Sequence, residues 1–444
     1  MRTRLGVLVA LVVALAAAAA APAHARVPNQ TPKRDLENAV SRSLSAPESR
    51  GAVAGVLVTR GAATLLDLNG DRALVPASLT KLPTTLAALL RFGPDHRFET
   101  IFAGADLRGG TVRGDVALIG GGDPAFSTAA YAVKRYEPDP DDDPPVPVYT
   151  TRPATVDVLA EAIVKAGVRR ITGSLIVDES RFDAQRTQRG WLARYQTRNS
   201  IEVGNLSALA IDEGLGDLEG KTLAPDPAMN AGRALAAALA RRGVTVAGGI
   251  RHGVAPKQLA PIASVKSPPL REIADYTNKY SVNYPAEMLL KNLGASFGGA
   301  GTSAAGIRVI HETLAKIGIP MDGFSITDGS GLSVLNTITP RTIAAVIRYA
   351  LEDDSEAAKA MRDSLPVAGG PGTLFKRLRL EPVQGNLRGK TGLIRGVRGM
   401  AGWVRGLDGS TLVYVTLFNE AASAGRMTTP IDVIAIALAR FPYG

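Results

Sequence analysis

The sequence predicts an α+β fold: an antiparallel sheet built from both ends of the mature chain, flanked by helices and interrupted by a large insertion. Three observations carry this. β-type runs stand near both ends (Ala52–Leu68 and Gly399–Phe418), helical periodicity dominates residues 270–352, and a separate series of strand and helix signals fills residues 101–265. The expected division is 1–25 as a leader, 26–100 with 266–444 as one discontinuous domain, and 101–265 as an insertion forming one or two additional domains. A chain of 444 residues, 45% apolar, is long enough for two or three compact units.

The leader comes first. Arg2 and Arg4 make a basic start, Leu5–Ala20 is apolar and uncharged, and Ala23-His24-Ala25 fits a small-x-small cleavage site. The mature chain is expected to begin at Arg26 in an extracytoplasmic space. The apolar run is short for a spanning helix, and with no cysteine a lipoprotein anchor is excluded, so no transmembrane anchor is expected after cleavage.

Ala52–Leu68 reads as a hairpin around Arg60-Gly61. A helix follows from Ser78 through Arg91, closed by Gly93-Pro94. Residues 99–122 read as strands with glycine turns. Tyr136–Pro153, rich in proline and aspartate, reads as a solvated loop, since its aspartates lack EF-hand spacing. Thr155–Ala166 is helical by period, Ile171–Val177 a strand, and Met229–Arg242 a helix stopped by Gly243. Pro256–Pro269 reads as a boundary. Helices are expected at 270–279, 284–293, 303–317 and 340–352, then strands at Gly399–Val404 and Thr411–Phe418, and a last helix at Pro430–Phe441.

Composition removes several chemistries. The absence of cysteine excludes thiol nucleophiles, disulfide scaffolds and cysteine metal sites. The four histidines (His24, His96, His252, His311) are far apart and form no H-E-x-x-H, so neither a metal nor another cofactor is expected. Loss of Arg2 and Arg4 takes the net charge from +10 to +8. The basic residues are scattered without an aromatic-rich motif, which argues for a positive surface and against nucleic-acid binding.

Three short motifs carry the chemistry. Ser78-Leu79-Thr80-Lys81 places a hydroxyl and an amine three residues apart at a helix start, where the lysine can take the serine's proton. Ser281-Val282-Asn283 opens a second helix, and Lys390-Thr391-Gly392 stands just before the β segment ending at Trp403. Each is weak alone; the three in this order match the S-x-x-K, S-D-N, K-T-G series of penicillin-recognising enzymes. No G-x-S-x-G occurs, which excludes an α/β-hydrolase, and Asp328-Gly329-Ser330-Gly331 reads as a turn bordering the site.

With Asp328–Ser333, Ser364–Gly369, Gly372–Leu374, Gly120–Pro124 and Gly173–Asp178, these motifs resemble the class C low-molecular-mass penicillin-binding proteins. These are the D-alanyl-D-alanine carboxypeptidases and endopeptidases of peptidase family S13. The resemblance implies a β-lactamase/D,D-peptidase-like domain, with peptidoglycan stem peptides as substrates and β-lactam antibiotics as acylating ligands. It also implies roles. Ser78 is the nucleophile and Lys81 its base; Ser281 and Asn283 complete the proton relay and hold the substrate amide. Lys390 and Thr391, with Gly392 and Leu393, bind the terminal carboxylate, and the N–H groups of Ser78 and Leu393 form the oxyanion hole. Burial and repulsion from Lys390 are expected to lower the Lys81 pKa.

Three departures stand out. Val282 replaces aspartate with a side chain expected to point away from the nucleophile, Pro83 is expected to kink the first helix, and Leu393 replaces a hydroxyl residue. Two alternatives remain open: a serine β-lactamase of the same fold, although no Glu-x-x-Leu-Asn lies between Asn283 and Lys390, and a catalytically weak penicillin- or cell-wall-binding protein.

Overall fold

In the computed structural model, which describes residues 32–138, 148–197 and 200–442, five antiparallel strands form the central sheet. Their order is Arg388–Ile394, Val397–Arg405, Thr411–Asn419, Val53–Arg60 and Ala63–Leu68. Pairing from Val53↔Asn419 to Arg60↔Leu412 joins the two ends of the chain. The leader and its cleavage site lie outside the described residues, among which no helix is long and apolar enough to cross a membrane.

Alternate residues of the sheet enter two different cores. Val56, Val58, Leu412, Tyr414 and Phe418 pack with the helices Pro32–Ser45 and Thr428–Ala439. Leu57, Val413, Val415 and Leu417 pack with the helices Lys81–Phe92, Leu270–Lys279, Ser303–Lys316 and Pro340–Glu352. Burial on both faces is why these strands read as continuous apolar runs and not as a polar–apolar alternation.

Besides a short two-stranded pair, Gln196–Thr197 with Ser200–Ile201, residues 99–266 build two larger sheets. One runs Ile250–His252, Leu175–Asp178, Val116–Ile119, Glu99–Gly104, Ala260–Lys266; the other runs Thr245–Val246, Arg170–Ile171, Thr111–Val112, Leu107–Arg108. The helices Val156–Lys165 and Pro227–Ala240, capped by Thr155 and Asp226, cover them. Glu99 pairs with Lys266, so the chain leaves and re-enters the central region at adjacent points. The stretch read as a boundary, Pro256–Pro269, therefore contains a strand. The single strand read at Ile171–Val177 is two, broken around Gly173 because its halves pair in different sheets.

The expected loop at Tyr136–Pro153 is pinned at both flanks: Tyr136 ends a helix (Ala129–Tyr136), and it and Tyr149 are buried with ring centroids 5.1 Å apart. Residues 139–147 lie outside the described set. Helix Asn283–Phe297 joins the two regions. Its Asn292 donates to the Gly122 carbonyl at 2.8 Å and accepts from Arg181 at 3.0 Å, and its buried Lys291 pairs with Asp183.

Candidate active site

The first motif is not one continuous α-helix. Ala77–Thr80 forms a 3₁₀ turn and the α-helix starts at Lys81. In a 3₁₀ turn, positions i and i+3 eclipse, so Lys81 stands directly over Ser78. Lys81 Nζ donates to Ser78 Oγ at 3.0 Å. The expected kink at Pro83 does not arise: with the helix starting at Lys81, Pro83 sits in the first turn, where the missing N–H has no intrahelical acceptor to lose. Ala77, one residue before Ser78, has φ 49°, strain of about 1–3 kcal/mol for a residue with a Cβ. The loop Asp328–Ser333 packs against it so closely that a Cβ on Gly331 (φ +85°) would lie 1.9 Å from the Ala77 carbonyl oxygen.

Lys81 is completely buried and gives two further hydrogen bonds, to Asn283 Oδ1 and to the Ser330 carbonyl, both at 2.7 Å. Burial pulls its pKa down from 10.5 to about 7, against the opposing charges of Asp328, Glu287 and Glu202. Near neutral pH a large fraction of this amine is free to accept a proton.

The third motif lies within a strand of its own. Arg388–Ile394 is the edge of the central sheet, paired on one side with Val397–Arg405, and its other side faces the Ser78 turn. The contact is close: a Cβ on Gly392 would lie 3.1 Å from the Pro76 carbonyl oxygen. Lys390 is fully buried and Thr391 nearly so, whereas Leu393 is 49% exposed. Lys390 Nζ donates to Ser281 Oγ at 2.7 Å and to the Thr391 carbonyl at 2.8 Å. An ammonium has three donors, which leaves one for a ligand.

The second motif thus serves both lysines, Asn283 at Lys81 and Ser281 at Lys390. Ser281 is also strained, with φ 60°. The Asn283 amide nitrogen, expected to hold substrate, donates to the Glu202 carbonyl at 2.8 Å. Val282 is half-buried and packs against the large core. Behind the third motif, Val367 bridges to Arg388, and Thr373 N donates to the Lys279 carbonyl at 2.9 Å, which ties the Ser364–Gly369 and Gly372–Leu374 segments to the site.

Burial, then repulsion from Lys81, drives the Lys390 pKa well below the ordinary lysine value. The expected repulsion between the lysines thus falls on Lys390. Like-charge repulsion is mutual, but three carboxylates favour the charged form of Lys81, whereas burial and the Lys81 charge both act to lower Lys390.

Sequence reasoning missed the supports of this arrangement. Glu287, fully buried, accepts from the backbone N–H of Ser330 at 2.7 Å and of Gly329 at 3.1 Å. Asp328 holds the same loop through Gly331 N at 2.9 Å, Ser333 N at 2.7 Å and the Asn336 amide, and accepts from Trp191 Nε1 at 2.9 Å. The sequence sign of Glu287 is a charged residue four positions, one helical turn, after Asn283.

A buried serine–lysine pair, a second lysine on a sheet edge, and an α+β core with an insertion together define a penicillin-binding-protein type of fold. The fold matches penicillin binding protein 4 (dacB) from Haemophilus influenzae with a TM-score of 0.76 at 20% identity, over 90% of this chain and 99% of that one. A D-alanyl-D-alanine carboxypeptidase from an Actinomadura species is 29% identical over 92% of this chain and 85% of its own. Carboxypeptidase DacB from Mycolicibacterium smegmatis is 29% identical over 91% and 84%. The sequence profile of the D-Ala-D-Ala carboxypeptidase 3 (S13) family matches residues 36–225 and 220–438. The chain belongs to that family.

Proposed function

We propose that this protein is an exported serine D,D-peptidase that cleaves D-Ala-D-Ala ends or cross-bridge peptides of peptidoglycan through a Ser78 acyl-enzyme, and that β-lactams acylate the same serine. The observation that carries this is the buried Lys81 amine, 3.0 Å from Ser78 Oγ with a pKa lowered to about 7. Neutral Lys81 takes the hydroxyl proton as Oγ attacks the carbonyl carbon. The resulting oxyanion lies between the N–H groups of Ser78 and Leu393. Ser281, held by Lys390, passes a proton to the leaving nitrogen as the C–N bond breaks and D-alanine departs, and the proton that Lys81 took from Ser78 is relayed to Ser281, so that both groups are reset. Water then hydrolyses the ester and returns Ser78. The free donor of Lys390, with Thr391, takes the terminal carboxylate in a charge-assisted contact, and Gly392 lets the strand approach the nucleophile turn.

Residues 26–100 with 266–444 form the catalytic domain in this reading, and 101–265 the insertion that shapes access for a polymeric substrate. Removal of residues 1–25 places the enzyme outside the cytoplasm. The test is mass spectrometry of the intact protein after penicillin exposure, with peptide mapping, alongside an assay of D-alanine release from a pentapeptide. A single adduct on Ser78 together with D-alanine release supports the reading. No adduct, or an adduct elsewhere, overturns it.

A further inference from the structure

A neutral amine that acts as a base has two N–H donors and one lone pair, and the lone pair points wherever the donors do not. At Lys81 two acceptors are fixed, Asn283 Oδ1 and the Ser330 carbonyl, each at 2.7 Å. With both N–H bonds committed, the remaining direction is the one occupied by Ser78 Oγ. Orienting the base therefore depends on what holds the two acceptors.

Helix Asn283–Phe297 holds both. Asn283 opens it and reaches Lys81 directly. Glu287, four residues on and so on the same face, holds the N–H of Ser330, the residue whose carbonyl is the other acceptor. Its Oε1 accepts from Ser330 N at 2.7 Å and Gly329 N at 3.1 Å, and its Oε2 from Gly329 N at 3.2 Å; the Ser330 hydroxyl donates to it as well. Thr84, one turn after Lys81, fixes the Gly329 carbonyl at 2.9 Å. The peptide 329–330 is thus clamped on both sides; the following peptide, whose Ser330 carbonyl meets Lys81, is held in turn by Asp328 through Gly331 N at 2.9 Å. A carboxylate without solvent exposure is costly to bury for packing alone.

We propose that Glu287 is a positioning residue for the reaction: by clamping the amides of Gly329 and Ser330 it aims the Ser330 carbonyl at Lys81, and so turns the Lys81 lone pair onto Ser78. The inference rests on the Ser78–Lys81 reading above. The charged groups facing Lys81 are Asp328, Glu287 and Glu202, with Lys390 across the site, so Glu287 can also act through charge. The experiment separates the two. Burial pushes the pKa of the Glu287 carboxyl up to about 8, so Glu287→Gln keeps the length and one acceptor oxygen but removes that titrating proton, whereas Glu287→Asp keeps an ionisable carboxyl and withdraws it by one methylene.

The measurement is the second-order rate of acylation by a fluorescent penicillin from about pH 5 to 9, per folded molecule, with folding followed by circular dichroism. Glu287→Gln is expected to stay within about threefold of the parent at its optimum, and Glu287→Asp to fall on the order of 10- to 100-fold, as for a displaced catalytic group. That fall persists at every pH, because a misdirected lone pair is not restored by deprotonation. A Glu287→Asp enzyme as fast as the parent, or one that recovers on raising pH, overturns the proposal; so does a Glu287→Gln enzyme as slow as Glu287→Asp. A parent protein that penicillin does not acylate refutes the Ser78 reading instead, so the two failures are distinct.

Discussion

Replacing Lys390 by glutamine isolates the proton chemistry of Lys81. In the proposed mechanism, reaction with a carboxylate-bearing ligand needs Lys81 neutral and Lys390 charged, yet burial lowers both lysines and repulsion lowers Lys390 further. The parent acylation rate is therefore expected to follow a bell-shaped profile, falling on the alkaline side where Lys390 has lost its proton. In Lys390→Gln the alkaline fall disappears and one rising limb remains, centred near pH 7 because the Lys81 pKa is lowered to about 7, burial being the largest cause. The neutral fraction of Lys81 is then roughly 3% at about pH 5.5, half at about pH 7 and nearly complete at about pH 8.5, so the rate rises about 30-fold. An ordinary lysine is neutral in only about 3 molecules in 10,000 at pH 7. The lowering from 10.5 to about 7 corresponds to about 5 kcal/mol between the protonation states, the net of burial and the opposing carboxylates. The plateau itself is expected to drop on the order of 10- to 100-fold, since a hydrogen bond between charged partners is lost. The assay is stopped-flow acylation by a fluorescent penicillin across the pH range. A limb near pH 10, a flat profile, or a surviving alkaline fall in Lys390→Gln refutes the assignment of base and carboxylate anchor.

Three further outcomes are expected. Ser78→Ala abolishes covalent penicillin labelling and D-alanine release while leaving the fold intact, at a stability change of about 1 kcal/mol for one lost hydrogen bond; persistent labelling moves the nucleophile elsewhere. Gly331→Ala puts a Cβ against the Ala77 carbonyl at a positive φ, so a loss of about 1–3 kcal/mol in denaturant unfolding should accompany a slower acylation, and an unchanged midpoint argues against the close packing of loop and turn. Leu393→Thr returns a hydroxyl to an exposed position on the edge strand and should speed acylation by penicillin about threefold to tenfold, with no gain for a penicillin ester lacking the carboxylate; equal gains would show that the hydroxyl does not meet that group.

The parts of this protein that were legible in the sequence are those whose signal is local. The Ser78-x-x-Lys81, Ser281-x-Asn283 and Lys390-Thr391-Gly392 spacings are short, and the central strands Val53–Arg60 and Thr411–Asn419 carry their own apolar runs, whereas the edge strand Arg388–Ile394 does not. Errors arose where a partner distant in sequence decides the conformation. Ile171–Val177 has the composition of one strand and is divided because its halves pair with Thr111–Val112 and Val116–Ile119 in different sheets. Pro83 looked disruptive only on the assumption that the helix begins at Ser78, and the 3₁₀ turn removes that assumption.

Glu287 and Trp191 were invisible for a related reason. A charged residue within a buried helix, or a tryptophan in an irregular segment, acquires meaning only when the loop Asp328–Ser333 is seen between them. The proton affinity of Lys81 is the extreme case. It is set by burial beneath that loop and helix Asn283–Phe297, and by carboxylates from three separate segments at Glu202, Glu287 and Asp328. None of these carboxylates belongs to the three motifs. Two chains with identical motifs can therefore hold lysines of different basicity, and the working pH of such an enzyme is a property of its loop packing and its insertion as much as of its nucleophile.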